Sequence, residues 1–284
     1  MLTDPLDRPR LMGVVNVTPD SFSDGGRWAT TEAAVDHGRR LLDEGADLLD
    51  IGGESTRPGA TRPLVGEELG RVVPVIEQLA ADGAVVSVDT MRSEVAEAAL
   101  QAGATVVNDV SGGLADPAIL RVAAAHGATY VAMHWRAHSA EMQRHAVYDG
   151  PGGVVGAVVD ELSGRVEAAT RAGIDPARLV LDPGLGFAKT PDQNWELLAG
   201  LDEIAALGQP LLVGASRKSF LGHLLAERDV PRPVDDREAA HLALVTLLAQ
   251  RGVWGLRVHE VAPCRDALRV VGRWRAETTP EGAG

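Results

Sequence analysis

The 284-residue chain holds a single cysteine, Cys264. No intrachain disulfide can form, and no cysteine cluster with zinc-ligand spacing exists. Lysine is nearly as scarce, with Lys189 and Lys218 alone against twenty-five arginines. A bias that replaces Lys with Arg wherever a positive charge suffices leaves each surviving lysine a candidate for work that needs a flexible ammonium. Basic charge is in deficit overall, with a formal net charge of −13. That excludes a general nucleic-acid binder, which needs a basic face. Long apolar runs are missing too, because Gly, Asp or Arg interrupts each of them, so none reads as a membrane span. The opening Met1-Leu2-Thr3-Asp4-Pro5-Leu6-Asp7 has no basic stretch followed by an apolar core and does not read as a signal peptide. The cytoplasm is the expected compartment. No GxGxxG or Walker sequence occurs, which counts against a doubly wound nucleotide-binding sheet.

The composition that remains, 45% apolar and 24% charged, is that of a folded globule. Short runs of apolar and β-branched residues alternate with longer helical patterns. Eight strands are expected, over Leu11–Asn16, Leu48–Gly52, Val85–Asp89, Thr105–Asn108, Thr129–His134, Leu179–Asp182, Pro210–Gly214 and Gly255–His259. Their nearly continuous apolar character suits strands buried on both faces. Helices are expected between them, over Thr31–Gly45, Glu67–Ala81, Ser93–Ala102, Asp116–His126, Val154–Ala172, Asp192–Ala199, Arg217–Glu227, Glu238–Gln250 and Val261–Trp274. The pairs Gly45-Ala46, Gly103-Ala104 and Gly127-Ala128 suit helix C-caps. Eight βα units in one chain of this size predict an α/β fold, a single-domain (β/α)8 TIM barrel. The expected bounds are an extension over 1–10, the barrel over 11–275 and a disordered tail over 276–284. Residues 137–153 read as a long loop.

The informative polarity falls at the strand ends. The strands finish at or lead into Asn16, Glu54-Ser55-Thr56-Arg57, Asp89, Asn108-Asp109, His134, Asp182, Ser216-Arg217-Lys218-Ser219, and Arg257 with His259. A lone Asp at a strand end is commonly a helix N-cap. A polar group at every one of eight strand ends instead predicts an active site at one barrel mouth. Asp89, Asn108 and Asp182 are acceptor-rich and suit a flat heterocycle carrying ring N–H and amino donors. The competing reading is a buried network with Arg or backbone partners. Arg57, Lys218, Arg257 and His259 put positive charge at the same mouth of an acidic protein, which suits a phosphate or carboxylate. Surface ion pairs with Glu54 or Glu260 are the alternative. Gly25-Gly26 and Pro58-Gly59 flank long loops that read as lids. Asn16, with Asp20 and Asp24 nearby, offers oxygen to Mg2+, which takes few protein ligands and completes its shell with water and phosphates. His134 and His138 make a poorer zinc pair.

These motifs resemble the dihydropteroate synthase family, in its actinobacterial folate-pathway form. The resemblance rests on Asn16-Val17-Thr18-Pro19-Asp20-Ser21-Phe22-Ser23-Asp24-Gly25-Gly26, Gly53-Glu54-Ser55-Thr56-Arg57-Pro58-Gly59 and Val88-Asp89-Thr90. Asn108-Asp109-Val110-Ser111-Gly112-Gly113, Met133-His134 and Asp182-Pro183-Gly184-Leu185-Gly186-Phe187-Ala188-Lys189 continue it. Gly214-Ala215-Ser216-Arg217-Lys218-Ser219-Phe220 and Arg257-Val258-His259 complete it. One motif falls at each strand, in order, over residues 10 to 275. The family condenses para-aminobenzoate with hydroxymethyl-dihydropterin pyrophosphate on a (β/α)8 barrel, releasing pyrophosphate and dihydropteroate.

The resemblance implies roles by motif position. Asp89, Asn108, Asp182, Lys218 and Arg257 would bind the pterin. Asn16, Arg57, Arg257 and His259 would hold pyrophosphate, with Asn16 also placing Mg2+. Thr56 and Arg57 would close over the reacting centre. Phe22, Pro58, Phe187, Lys218 and Ser219 would form the aminobenzoate pocket, the Ser219 hydroxyl and helix N-terminal amides receiving its carboxylate. Asp89, Lys218, Arg257, His259, Thr56 and Arg57 form the implied catalytic set, in an SN1-like displacement. The resemblance also implies a sulfonamide target and a homodimer joined by its last helices. Two positions depart from the family pattern: Glu260 stands where Asp is usual, and Trp135-Arg136 replace a Gln- and Gly-containing run. Three rival readings fit parts of the pattern. An inactive pterin-binding paralogue tends to lose the Ser-Thr-Arg or Ser-Arg-Lys run. A folate methyl transferase has no need of both anion grips. An aldolase would use Lys218 as a Schiff base.

Overall fold

The computed structural model of the chain describes residues 2–4, 6–18, 26–54, 62–138 and 141–278. The apolar runs become eight strands: β1 (Arg10–Asn16), β2 (Leu48–Gly52), β3 (Val86–Asp89), β4 (Val106–Asp109), β5 (Thr129–Met133), β6 (Leu179–Asp182), β7 (Leu212–Val213) and β8 (Gly255–Val258). All pairs are parallel, in the order β6-β5-β4-β3-β2-β1-β8-β7. The ring closes between β6 and β7 through one bridge, Leu181 to Leu211, and the Leu181 N–H to Pro210 carbonyl bond of 2.9 Å. The expected (β/α)8 barrel is therefore present. Strand β7 is shorter than expected. Pro210 has no N–H for the ladder, and the chain leaves the sheet after Val213.

The helices are α1 (Gly26–Glu44), α2 (Val65–Ala81), α3 (Ser93–Gln101), α4 (Ala118–Ala125), α5 (Gly153–Arg171), α6 (Pro191–Ala199), α7 (Leu201–Ala205), α8 (Ser219–Leu224), α9 (Glu238–Gln250) and α10 (Val261–Thr278). Gly45 closes α1 at φ +107°, as the Gly-Ala pairs suggested. Helix α7 is too short to give a periodic signal. Helix α8 is half the expected length, because Arg228 and Asp229 take φ of +52° and +64° and turn the chain back. Among the described residues of 137–153 the chain makes a 3-10 turn, Met142–His145. Helix α10 continues to Thr278, three residues beyond the expected end of the barrel. No described helix is long and apolar enough to cross a membrane.

Strand side chains alternate between faces. One parity packs outward against the helices in the main core. The other points into the barrel, where Met12, Leu48, Val106, Val131, Val180 and Leu212 form a fully buried plug. Trp254 joins this plug, with Leu2 packed against it. The Trp254 indole N–H donates to the Leu2 carbonyl at 3.2 Å, so the N-terminal segment covers the base. Two residues further along β2, β4 and β6 come Asp50, Asn108 and Asp182. The strand period thus stacks a polar layer directly on the apolar plug, open toward the C-terminal mouth.

Candidate functional site

Arg257 lies at the centre of the polar layer. Its Nε donates to Asp50 Oδ2 at 2.7 Å and one terminal nitrogen donates to Asp89 Oδ2 at 2.8 Å. Asn108 Nδ2 donates to the same Asp50 oxygen at 2.9 Å. Four strands thus contribute to one network, and parallel register sets it, since Asp89 sits opposite Asn108 and Asp50 opposite Ser87. Burial pushes Asp89 up to about 7 against the pull of Arg257. The two carboxylates in turn raise Arg257, so it stays charged. Asp50 Oδ1 and Ser87 Oγ are buried with no hydrogen-bond partner, which leaves polar capacity at this level of the barrel. The alternative of a buried acid network with Arg is realised in part. The Glu54 and Glu260 alternative fails for Arg257, whose carboxylate partners are Asp50 and Asp89. Glu54 pairs instead with Arg62, and Glu260 with Arg217.

Opposite, Asp182 Oδ1 accepts the Gly184 N–H at 2.7 Å. Burial raises this carboxyl too, against the pull of that bond and of Lys218. Lys218 Nζ donates to the Leu185 carbonyl at 2.6 Å and lies 4.1 Å from the centre of the Phe187 ring, a cation–π contact. Desolvation holds Lys218 down at about 8. Gly186 has φ +77°, and a Cβ there would come 2.8 Å from Lys218 Cδ, so the lysine stem needs the glycine. Met91, Val110 and Met133 form a separate apolar cluster, with Trp135 and Phe187 packed against it. Flat apolar surface beside buried acceptors suits a planar heterocycle.

His259, just past β8, contacts Ser216 Oγ through Nδ1 at 3.0 Å. Burial and the neighbouring Arg257 and Arg217 push it down to about 2, so it is neutral in the free protein. Arg217 adopts φ +63°, a sparsely populated conformation for a residue with a side chain. Arg237 braces it by donating to the Arg217 carbonyl at 2.9 Å. Ser219 is exposed at the first residue of α8, and Asn16 is half-buried at the end of β1. The structure therefore brings Asn16, Asp89, Asn108, Asp182, Phe187, Lys218, Ser219, Arg257 and His259 to the C-terminal strand ends. Phe22, Thr56, Arg57 and Pro58, and also Asp20 and Asp24, lie outside the described residues.

Several residues at this end serve the frame. Asp109 faces outward and accepts Ser111 N–H, Ser111 O–H, Gly113 N–H and Tyr130 O–H at 2.7 to 2.8 Å. Arg136 binds Glu161 Oε1 at 2.5 Å and the Val147 carbonyl at 2.6 Å. It also stacks 3.9 Å from the centre of the Tyr148 ring, which staples the loop before α5. Sequence reasoning missed Asp50 and Glu161, and it left Lys189 without a role. It also missed a grouping of Glu238, His241 and Cys264, whose ligand atoms lie within 4.8 Å of one another.

A magnesium ion is compatible with Asn16 only as a partner to a phosphorylated ligand. One neutral amide oxygen is a weak site alone but a sufficient protein contribution when phosphates and water fill the shell.

With this geometry in hand, comparison with known proteins is specific. A family model described as "Pterin binding enzyme" matches residues 12–259. The dihydropteroate synthase of Mycobacterium leprae (strain TN) is 53% identical over 268 residues, covering 93% of each chain. A structure of Xanthomonas albilineans dihydropteroate synthase with 4-aminobenzoic acid superposes with a TM-score of 0.85 at 48% identity, covering 96% of this chain and 95% of that one. The same organism's enzyme in complex with 7,8-dihydropteroate gives 0.82 at 46% identity, with the same coverage.

Proposed function

The chain belongs to the pterin-binding enzymes, among the dihydropteroate synthases, and from that membership and the mouth's geometry we propose how it works as a transferase. It joins para-aminobenzoate to (7,8-dihydropterin-6-yl)methyl diphosphate, giving 7,8-dihydropteroate and pyrophosphate. The observation that carries this reading is Arg257 held between Asp50 and Asp89, 2.7 and 2.8 Å away, with Asn108 on the Asp50 carboxylate. The acceptors Asp89, Asn108 and Asp182 take the ring N–H and amino donors of the pterin. Lys218 donates to its carbonyl. The guanidinium plane of Arg257 lies against the ring face, its outer edge turned to the diphosphate with His259 and Asn16.

An aryl amine is a weak nucleophile, so departure of the leaving group leads. The C–O bond to diphosphate breaks first, and the electron-rich pterin delocalises the cation that results. The carboxylates of Asp89 and Asp182 stabilise that charge from fixed positions in a dry site. Arg257, Arg217 and the imidazole of His259 receive the diphosphate. The amine nitrogen then attacks the methylene carbon and loses its proton to the departed diphosphate or to water. Asn16, together with the substrate's phosphates, would hold Mg2+, which would supply charge neutralisation on the leaving group. Phe187, Lys218 and Ser219 form the described side of the aminobenzoate pocket. The roles of Phe22, Pro58, Thr56 and Arg57 rest on motif position.

A homodimer through the last helices is part of this proposal. It is supported by exposed Leu247 on α9 and by exposed Val270 and Trp274, four residues apart on α10. Cytoplasmic residence is supported by the one buried free thiol, Cys264.

The test is pyrophosphate release with Mg2+, the pterin diphosphate and para-aminobenzoate, each omitted in turn. Release that needs all three, with equimolar dihydropteroate, supports the reaction. Folded protein that binds the pterin diphosphate without release overturns it in favour of an inactive pterin-binding paralogue.

A further inference from the structure

Lys189 is only 3% exposed, and nothing in the reaction above uses it. An ammonium carries three N–H donors, and here each one is used. Nζ donates to the Gly184 carbonyl at 3.0 Å, the Phe187 carbonyl at 3.1 Å and His134 Nδ1 at 3.0 Å. With Nδ1 accepting, the other ring nitrogen carries the hydrogen, and His134 Nε2 donates to Glu161 Oε2 at 2.9 Å. Arg136 holds the second oxygen of that carboxylate at 2.5 Å. One chain of polar contacts therefore runs from α5, through the end of β5, into the loop after β6.

That loop, residues 183–188, is not at rest by itself. Gly184 has φ +68°, with space for a Cβ denied by the His134 carbonyl at 2.3 Å. Ala188 has φ +48°, a strained value for a residue with a side chain. The Tyr148 hydroxyl pins the Ala188 carbonyl at 2.9 Å, and Lys189 gathers the Gly184 and Phe187 carbonyls to one point. Between those fixed carbonyls lie the two groups that meet Lys218: the Leu185 carbonyl and the Phe187 ring. A planar guanidinium cannot replace a three-legged point donor in so closed a space. This accounts for a lysine in a chain that otherwise uses arginine.

We propose that Lys189 is a positioning residue: its ammonium, braced by His134 and Glu161, folds residues 183–188 so that the Leu185 carbonyl and the Phe187 ring hold Lys218 and wall the aminobenzoate pocket. The inference rests on the function proposed above. It carries its own pH signature. Lys189 is faced by His134 from β5, Glu161 from α5, Arg136 from the loop after β5, Asp182 from β6 and Lys218 from the loop after β7. Burial holds it down at about 7, and burial also holds His134 down at about 4, so that ring stays neutral. As pH rises through about 7, Lys189 loses one donor and the staple loses one leg.

The experiment measures KM and kcat for aminobenzoate from mildly acidic to alkaline pH in wild type, Lys189→Met and Glu161→Gln. Losing the carbonyl contacts is expected to raise the aminobenzoate KM of Lys189→Met about tenfold at mildly acidic pH, with kcat changed less than about threefold. The wild-type KM is expected to climb as pH passes 7, and that step is expected to shrink in Lys189→Met to what Asp89 and Lys218 contribute. Glu161→Gln, at the outer end of the chain, is expected to raise KM about threefold without loss of fold, and it decides the matter if Lys189→Met does not fold. Unchanged KM in either folded variant, or a step near pH 7 that keeps its full size in Lys189→Met, overturns the proposal. Wild-type protein that releases no pyrophosphate sinks the function instead. The loop is then read by the fluorescence of Phe187→Trp, whose emission should shift with a midpoint near 7 only when Lys189 is present. A flat titration in that protein overturns the staple.

Discussion

Asp50 has no solvent exposure and holds Arg257 and Asn108 on a single oxygen. Asp50→Asn keeps the shape and removes the charge, while Asp50→Ala removes both. With the amide oxygen placed where Oδ2 now lies, Asp50→Asn retains both hydrogen bonds but loses the acceptor's negative charge in each. Hydrogen bonds to charged groups contribute about 1.5–3 kcal/mol and neutral ones about 1. Two weakened bonds then cost about 1–4 kcal/mol, partly offset because an ionised carboxylate no longer has to be desolvated. We expect a loss of about 1–2 kcal/mol, or about 2–8 °C in Tm. Asp50→Ala leaves the Arg257 Nε and the Asn108 amide unpaired in the interior and should cost about 3–5 kcal/mol. In pyrophosphate release, Asp50→Asn should lower kcat/KM about tenfold and Asp50→Ala at least about a hundredfold, as the guanidinium swings off its plane. Thermal melts and steady-state kinetics on the two variants decide it. Equal losses in both variants would refute the charge argument. Wild-type kcat/KM in Asp50→Ala, with Tm reduced, would show that Asp50 supports only the fold.

The two loop glycines should separate stability from chemistry. Gly184→Ala meets a backbone carbonyl at 2.3 Å and should melt far lower or fail to fold, whereas Gly186→Ala meets the flexible Lys218 stem at 2.8 Å and should keep most of its Tm while losing activity; similar melting of both would contradict this. His259 and His134 are held at about 2 and about 4, below the unfolded value of about 6.5. The unfolded chain therefore binds protons at these two sites that the fold refuses, so their contribution to stability should decline as pH falls below about 6.5, against the opposite contribution of Asp89. His259→Asn should flatten that decline, as read by denaturant melts across pH. Diphosphate binding should favour the protonated imidazole, so calorimetry in buffers of differing ionisation heat should find more proton uptake in wild type than in His259→Asn. Leu247→Glu with Val270→Asp should yield a smaller species in sedimentation if α9 and α10 form the subunit contact; an unchanged mass would place that contact elsewhere.

The strand ends were legible because a parallel barrel gathers all its C-terminal strand ends at one mouth, so a polar group at every one of them is not routine helix capping. Asp89, Asn108, Asp182, Lys218, Arg257 and His259 were all found by that single rule. Asp50 was not, because it stands inside Leu48–Gly52, a run read for its nearly continuous apolar character and not for a site residue. A carboxylate in a strand buried on both faces requires a buried cation, and Arg257 was the available partner in the same polar layer. Lys189 was marked by scarcity alone. Its partners are two backbone carbonyls and a histidine 55 residues away, and no spacing in a sequence reports a carbonyl's direction. Glu161 was hidden for a similar reason, since it lies mid-helix on α5 among other acidic residues and only the tertiary fold turns it toward His134. The residues that read clearly touch the ligand space directly. Those that did not read act one contact further out, where backbone geometry rather than residue type sets the role. Asp50 orients Arg257 and Lys189 orients Lys218, so each of the two cations against the pterin site is aimed by a buried charge on another element. An acidic chain can in this way hold a cationic mouth: the interior carboxylates fix the position of Arg257 without covering its outer edge.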